Sequence, residues 1–127
     1  MKVLVVEDEP IVQNFIAAAL KGIDFSAEIE VVANGDDALR RYIECVPYDL
    51  VITDHRHCGL LGIDLIEGIR ANNGEQEIIL QTGNSGEHLE AFKRKWKDIY
   101  LLQKPYPQKE LQDLLNATMK RCKGIGC

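Results

Sequence analysis

The sequence predicts an α/β domain with a doubly wound, five-stranded parallel sheet and helices on both faces, on three observations. Short apolar runs alternate along the chain with stretches of helical periodicity. The runs lack polar alternation, as in Leu50-Val51-Ile52, so each strand is expected to be covered on both sides. Polar residues and glycines close the runs, most abruptly where Tyr48-Asp49-Leu50-Val51-Ile52-Thr53 ends on Asp54, with Gly59 and Gly62 soon after. Parallel strands need crossover helices, and those crossovers are right-handed almost without exception.

Taken in order, the first strand is Lys2 to Val6. The helix after it has Pro10 in its first turn and an apolar stripe of Val12, Phe15, Ile16, Ala19 and Leu20. A second strand, about Glu28 to Ala33, reaches Asn34-Gly35, and the next helix carries Ala38, Leu39, Tyr42, Ile43 and Val46 on one side until Pro47 stops it. Beyond Asp54, Gly62 precedes a helix with Leu65, Ile66 and Ile69 inward, ended by Asn72-Asn73-Gly74. The fourth strand, Ile78-Ile79-Leu80, leads to Gln81-Thr82-Gly83. A fourth helix rests on Leu89, Phe92 and Trp96, with the basic run Lys93-Arg94-Lys95 inside it. Tyr100-Leu101-Leu102 is the fifth strand, ending at Lys104-Pro105, and the last helix holds Leu111, Leu114, Leu115 and Met119 in register. The expected organisation is one domain over residues 1–122 and a flexible tail over 123–127, without repeats or interdomain linkers.

Composition limits what such a domain can be. At 127 residues, 46% hydrophobic and 28% charged, the chain can bury a proper core and shows no sign of disorder or a membrane span. A net charge of −5 argues against direct nucleic-acid binding, which needs an excess of Lys and Arg. Glu7-Asp8 follows the first strand too early for a signal peptide's apolar segment, so a cytoplasmic location is expected. Cys45, Cys58, Cys122 and Cys127 are scattered, and four free thiols are the default in a reducing compartment.

In a sheet of this kind ligands bind at the carboxyl ends of the strands. The polar residues collected there are Glu7 and Asp8, Asp54, Thr82 and Lys104. Three carboxylates so close repel at about 4 kcal/mol per pair at ~4 Å and an effective dielectric of about 20. Lys104 neutralises one charge, and a hard divalent ion answers the others. With few protein ligands that ion is Mg²⁺, which keeps several waters and shares a phosphate. Carboxylates, a hydroxyl, a lysine and Mg²⁺ make a phosphoryl site.

From Val3 to about Met119 the chain resembles the receiver domains of two-component response regulators. The resemblance rests on Glu7-Asp8, strand-terminal Asp54, Gly62 eight positions later, Thr82 and Lys104-Pro105, each at the end of its own strand. It implies the flavodoxin-like strand order 2-1-3-4-5 and a phosphoryl transfer to Asp54 from a phosphohistidine on a sensor histidine kinase or histidine phosphotransfer protein. It further implies Mg²⁺ bound by Asp8, Asp54 and the backbone carbonyl of Arg56, with Glu7 acting through water. Lys104 would pair with a phosphoryl oxygen, and Thr82 would donate its hydroxyl to another and move to signal. The domain would then be a signalling module that catalyses only its own phosphorylation and dephosphorylation. Output or homodimer contacts are expected on the surface made by the fourth helix, the fifth strand and the fifth helix.

Several positions depart from the family's pattern. His57-Cys58 replaces the Met-Pro or similar pair that often follows the acceptor. Arg56 and Asn84 occupy positions that tune the phosphoryl lifetime, and Gly83, often alanine, should leave the acceptor open. The aromatic switch position holds Leu101, and Tyr100, one residue off, points to the other face unless a bulge intervenes.

Plainer readings stand beside these. Asp54 alone reads as a turn or helix cap, and Glu7 as solvated surface. His55-Arg56-His57-Cys58 has soft-metal ligands, yet adjacent residues rarely converge on one ion. Lys93-Arg94-Lys95 reads as a solvated helix face. A haloacid-dehalogenase-like phosphatase would want a second Asp two positions after the nucleophile, where Arg56 stands. A nucleotide or flavin module would want a Gly-rich loop after the first strand, where Glu7-Asp8-Glu9-Pro10 repels phosphate. A non-phosphorylated domain keeping only the fold would have no use for the complete set of groups.

Overall fold

A computed structural model describes residues 1–45, 47–55, 62–83, 94–96, 98–104 and 106–124, with side chains to residue 119. Within them run β1 (Lys2–Val6), α1 (Pro10–Ile23), β2 (Glu28–Val32), α2 (Gly35–Cys45), β3 (Leu50–Asp54), α3 (Gly62–Asn72), β4 (Ile78–Thr82), β5 (Tyr100–Gln103) and α4 (Gln108–Gly124). All strand pairs are parallel and the sheet order is β2-β1-β3-β4-β5, so the doubly wound fold is present as expected.

The unalternating strands explain the layering. β3 and β4 are buried at every residue, because helices cover both faces. Side chains still alternate between the two covers. Val3, Val5, Leu50, Ile52, Ile79 and Leu102 pack with Ile16, Ala19 and Leu20 of α1 and with Leu111 and Leu115 of α4. Leu4, Val6, Val51, Ile78 and Leu80 pack with Ala38 and Tyr42 of α2 and with Leu65, Ile66 and Ile69 of α3. Among the described residues, 12 buried apolar side chains on one face and 11 on the other hold the layers, the larger of them contributing about 1.5–3 kcal/mol each on burial.

Local signals set the helix ends. Pro10 supplies the first turn of α1, where a missing N–H costs nothing. Asn34 caps α2 by accepting the Asp37 N–H at 2.8 Å, and Asp36 and Asp37 favour the positive end of the helix dipole. The expected stripe of α2 is too wide, since Ile43 is 51% exposed. α2 lies beside the edge strand β2, which leaves part of the stripe without a cover. α4 continues to Gly124, two residues past the expected boundary at 122. Arg94 and Lys95 are helical, while Leu89, Phe92 and Lys93 of the expected fourth helix, with Val46, Cys58 and Cys127, lie outside the described residues. Cys45 is a free thiol.

Candidate functional site at the carboxyl edge of the sheet

The ends of β1, β3, β4 and β5 meet at one edge. Asp54 is the last residue of β3 and pairs in register with Gln81 of β4. Glu7 follows β1 and extends its pairing, its N–H donating to the Val32 carbonyl at 3.0 Å. The Gln13 side chain, one turn into α1, donates to the Glu7 carbonyl at 2.6 Å and fixes that corner. Lys104 is anchored as β5 ends, its N–H donating to the Thr82 carbonyl at 2.7 Å. Gly62 opens α3 with its N–H on the His55 carbonyl at 3.0 Å. A Cβ on Gly62 would stand 2.5 Å from the Asp54 carbonyl oxygen and 2.9 Å from the His55 Cα, so only glycine allows α3 to start this close to the site.

The Lys104 ammonium sits between two acids, with Nζ 3.2 Å from Asp54 Oδ2 and 3.3 Å from Glu7 Oε1. Carboxylate oxygens of Glu7, Asp8 and Asp54 lie within 4.8 Å of one another. Glu7 is fully buried, and its Oε2 has no hydrogen-bond partner among the described residues. Burial, a hydrogen bond shared with Asp54 and the charge of Asp54 together push the Glu7 carboxyl up to about 7, against the pull of Lys104. Burial opposes the charge on Lys104, but Asp54 and Glu7 outweigh it and raise its pKa. One ammonium against three acids leaves an excess of negative charge and an unanswered buried oxygen. That is the environment a hard, oxygen-seeking divalent cation fits.

The edge thus brings together Glu7, Asp8, Asp54 and Lys104, with Thr82 buried at the end of β4. The solvated-surface reading of Glu7 is overturned: its side chain is fully buried and held against Lys104. A Cβ on Gly83 would meet nothing within 4 Å, so this position is open. Arg56, His57, Cys58 and Asn84 lie outside the described residues. β5 pairs without a bulge from Tyr100 to Gln103, so Tyr100 packs on the α1 and α4 side and Leu101 on the other.

Three residues of this edge had not been singled out: Gln13, Gln81 and Tyr106. The Tyr106 hydroxyl donates to Gln81 Oε1, and its ring packs on Phe15 at 5.8 Å between centroids. Burial, then the charges of Glu7 and Asp54, raise the Tyr106 pKa and keep the phenol protonated. The available signal was a glutamine closing an otherwise apolar strand.

Fold and edge together define an open α/β domain with a phosphoryl-type acidic site. The family model for the response regulator receiver domain matches residues 3–116, and the chain belongs to that family. It is 31% identical over 127 residues to the two-component response regulator PhoP of Pseudomonas aeruginosa, covering 98% of this chain and 54% of the relative. With the DNA-binding response regulator MtrA of Mycolicibacterium smegmatis it shares 29% over 120 residues, 94% of this chain and 51% of that one. The chain therefore spans about half the length of the curated relatives it matches. A receiver domain structure from Clostridium thermocellum superposes with a TM-score of 0.80 at 28% identity, covering 98% of both chains. A receiver domain from Methanospirillum hungatei reaches 0.85 at 18% identity and supports the fold alone.

The protein is accordingly a phospho-acceptor receiver domain of two-component signal transduction. Receiver domains generally bind Mg²⁺ at an acidic pocket, and this chain has an acidic group of Glu7, Asp8 and Asp54 at the sheet edge. Among the described residues, no helix is long and apolar enough to cross a membrane.

Proposed function

We propose that Asp54 is the residue that takes the phosphoryl group, donated by a phosphohistidine on a sensor kinase or histidine phosphotransfer protein. The observation that carries this reading is the Lys104 ammonium held between Asp54 and Glu7, with Asp8 in the same acidic group. An Asp54 carboxylate oxygen forms the new bond to phosphorus as the donor's P–N bond breaks. The electron pair leaves with the imidazole, which takes up a proton, and Asp54 becomes an acyl phosphate. Lys104 turns from the two carboxylates to a phosphoryl oxygen, so the charge that now steadies the acids later steadies the product. Thr82, at the end of the neighbouring strand, offers its hydroxyl to another phosphoryl oxygen and carries the change outward. Asp8, Asp54 and the Arg56 carbonyl would hold Mg²⁺ directly and Glu7 through water. The ion, when bound, supplies neutralising charge for the transferring group.

In this reading the domain, residues 1–122, catalyses only its own phosphorylation and dephosphorylation, in the cytoplasm, with Arg56, Gly83 and Asn84 tuning the lifetime. Output or homodimer contacts fall on β5, α4 and the segment before β5. The charge of −5 argues against nucleic acid as a direct partner of this segment. Intact-mass measurement after incubation with acetyl phosphate and Mg²⁺ tests the assignment. One added phosphoryl group is expected, and none for Asp54→Asn or without Mg²⁺. Equal gain in Asp54→Asn removes Asp54 from the role.

A further inference from the structure

Gln81 is an anomaly in the sheet. It follows Ile78, Ile79 and Leu80 in β4, is 0% exposed, and pairs in register with Asp54 on one side and Leu102 on the other. A buried amide is unfavourable unless its groups are bonded. Only one of its ends is: Oε1 accepts from the Tyr106 hydroxyl, whereas Nε2 is buried with no hydrogen-bond partner among the described residues.

The direction of the free end follows from the sheet. Residues paired across a parallel ladder project to the same face, and Ile52 and Ile79 both pack against α1 and α4. Asp54 and Gln81, two positions further along each strand, therefore stand side by side on that face. The amide's orientation is set from the other end. In the structure the amide turns its oxygen toward Tyr106, whose hydroxyl donates to it. The NH₂ group is left as a two-hydrogen donor on a residue paired with Asp54 on the same face of the sheet, with no acceptor among the described residues.

We propose that Gln81 is a further donor to the phosphoryl group carried by Asp54, held in orientation by Tyr106, and that it stabilises the phosphorylated state relative to the free one. The inference rests on Asp54 being the acceptor. Its physical content is that a donor left unsatisfied before phosphorylation becomes satisfied after it. An apolar residue at position 81 offers no such change.

The test is equilibrium binding of beryllofluoride, a phosphoryl mimic, in the presence of Mg²⁺, with Mg²⁺ binding alone measured on the same samples. Gln81→Leu should weaken beryllofluoride binding about tenfold, the worth of one recovered buried donor, while the Mg²⁺ affinity and cooperative thermal unfolding are retained. Gln81→Met, closer in shape, should show the same loss. Tyr106→Phe, which frees the amide to turn, should show a smaller loss of the same sign. Wild-type affinity for beryllofluoride in both position-81 variants overturns the inference, as does an equal loss of Mg²⁺ affinity, which marks general damage to the edge. If the wild-type protein itself fails to bind beryllofluoride, it is the acceptor assignment that falls.

Discussion

Two buried tyrosine–glutamine pairs bracket β4, and they are built differently. Ahead of the strand, Tyr42 donates to Gln76 Oε1 at 2.6 Å, and Gln76 Nε2 donates on to the Glu77 carbonyl at 3.2 Å. At the carboxyl end, Tyr106 donates to Gln81 Oε1 and the chain of bonds stops there. The first pair closes the polar groups of the core and belongs to stability. The second leaves a donor open beside Asp54, at the edge where ligands bind in such sheets. Glu7 Oε2, after the neighbouring β1, is a second buried polar atom at this edge without a hydrogen-bond partner among the described residues.

The strongest way to break this contrast is to disturb the edge through its backbone. Gly62→Val places a branched side chain against the Asp54 carbonyl and the His55 Cα. The clash is with backbone, so it cannot be relieved by a rotamer change. A loss of about 4 kcal/mol in denaturant unfolding is expected, at the upper end of single-substitution effects. Near-wild-type stability would show that the start of α3 can move away freely, and with it that the edge is not held as described.

The next effect is electrostatic. Glu7 titrates near 7 in the folded protein against a reference of 4.5, because burial and Asp54 favour its neutral form. A carboxyl whose pKa rises on folding is bound more tightly to its proton in the native state. Its contribution is therefore fully present below pH ~4.5, falls as pH rises, and is gone above about 7. Without divalent ions, the stability of the wild type relative to Glu7→Gln should fall across that window and level off above it. Parallel pH profiles for the two proteins in urea unfolding would remove Glu7 as the strained acid.

Much of this was legible in the chain itself. Five apolar runs in sequence order, separated by amphipathic stretches, leave few alternatives to a parallel sheet, and the acids of the site stand at the ends of two of those runs. Which residue of Glu7-Asp8-Glu9 turns inward was not readable, because both faces of β1 are covered and parity alone does not choose between them. The Tyr106–Gln81 bond was not, because it joins residues 25 apart whose meeting depends on how α1 and the segment after β5 pack over the sheet. Ile43 misled for a related reason: periodicity reports a stripe but not how much cover an edge strand offers it.

The smallest effect separates the two pairs directly. Tyr42→Phe leaves the buried Gln76 carbonyl oxygen without this donor, in a network that is otherwise closed and within the core between α2 and α3. It should cost about 1–2 kcal/mol of stability, a drop of roughly 5 °C in Tm, and leave beryllofluoride binding as in the wild type. Tyr106→Phe removes a hydroxyl from a half-buried side chain whose partner amide already stands half unbonded. That leaves a buried oxygen without this donor as well, so it should likewise cost about 1–2 kcal/mol of stability, and unlike Tyr42→Phe it should also lower the beryllofluoride affinity. If instead Tyr42→Phe changed binding and Tyr106→Phe changed only stability, the division of labour between the two ends of β4 would be reversed, and the open amide of Gln81 would have no connection to the chemistry at Asp54.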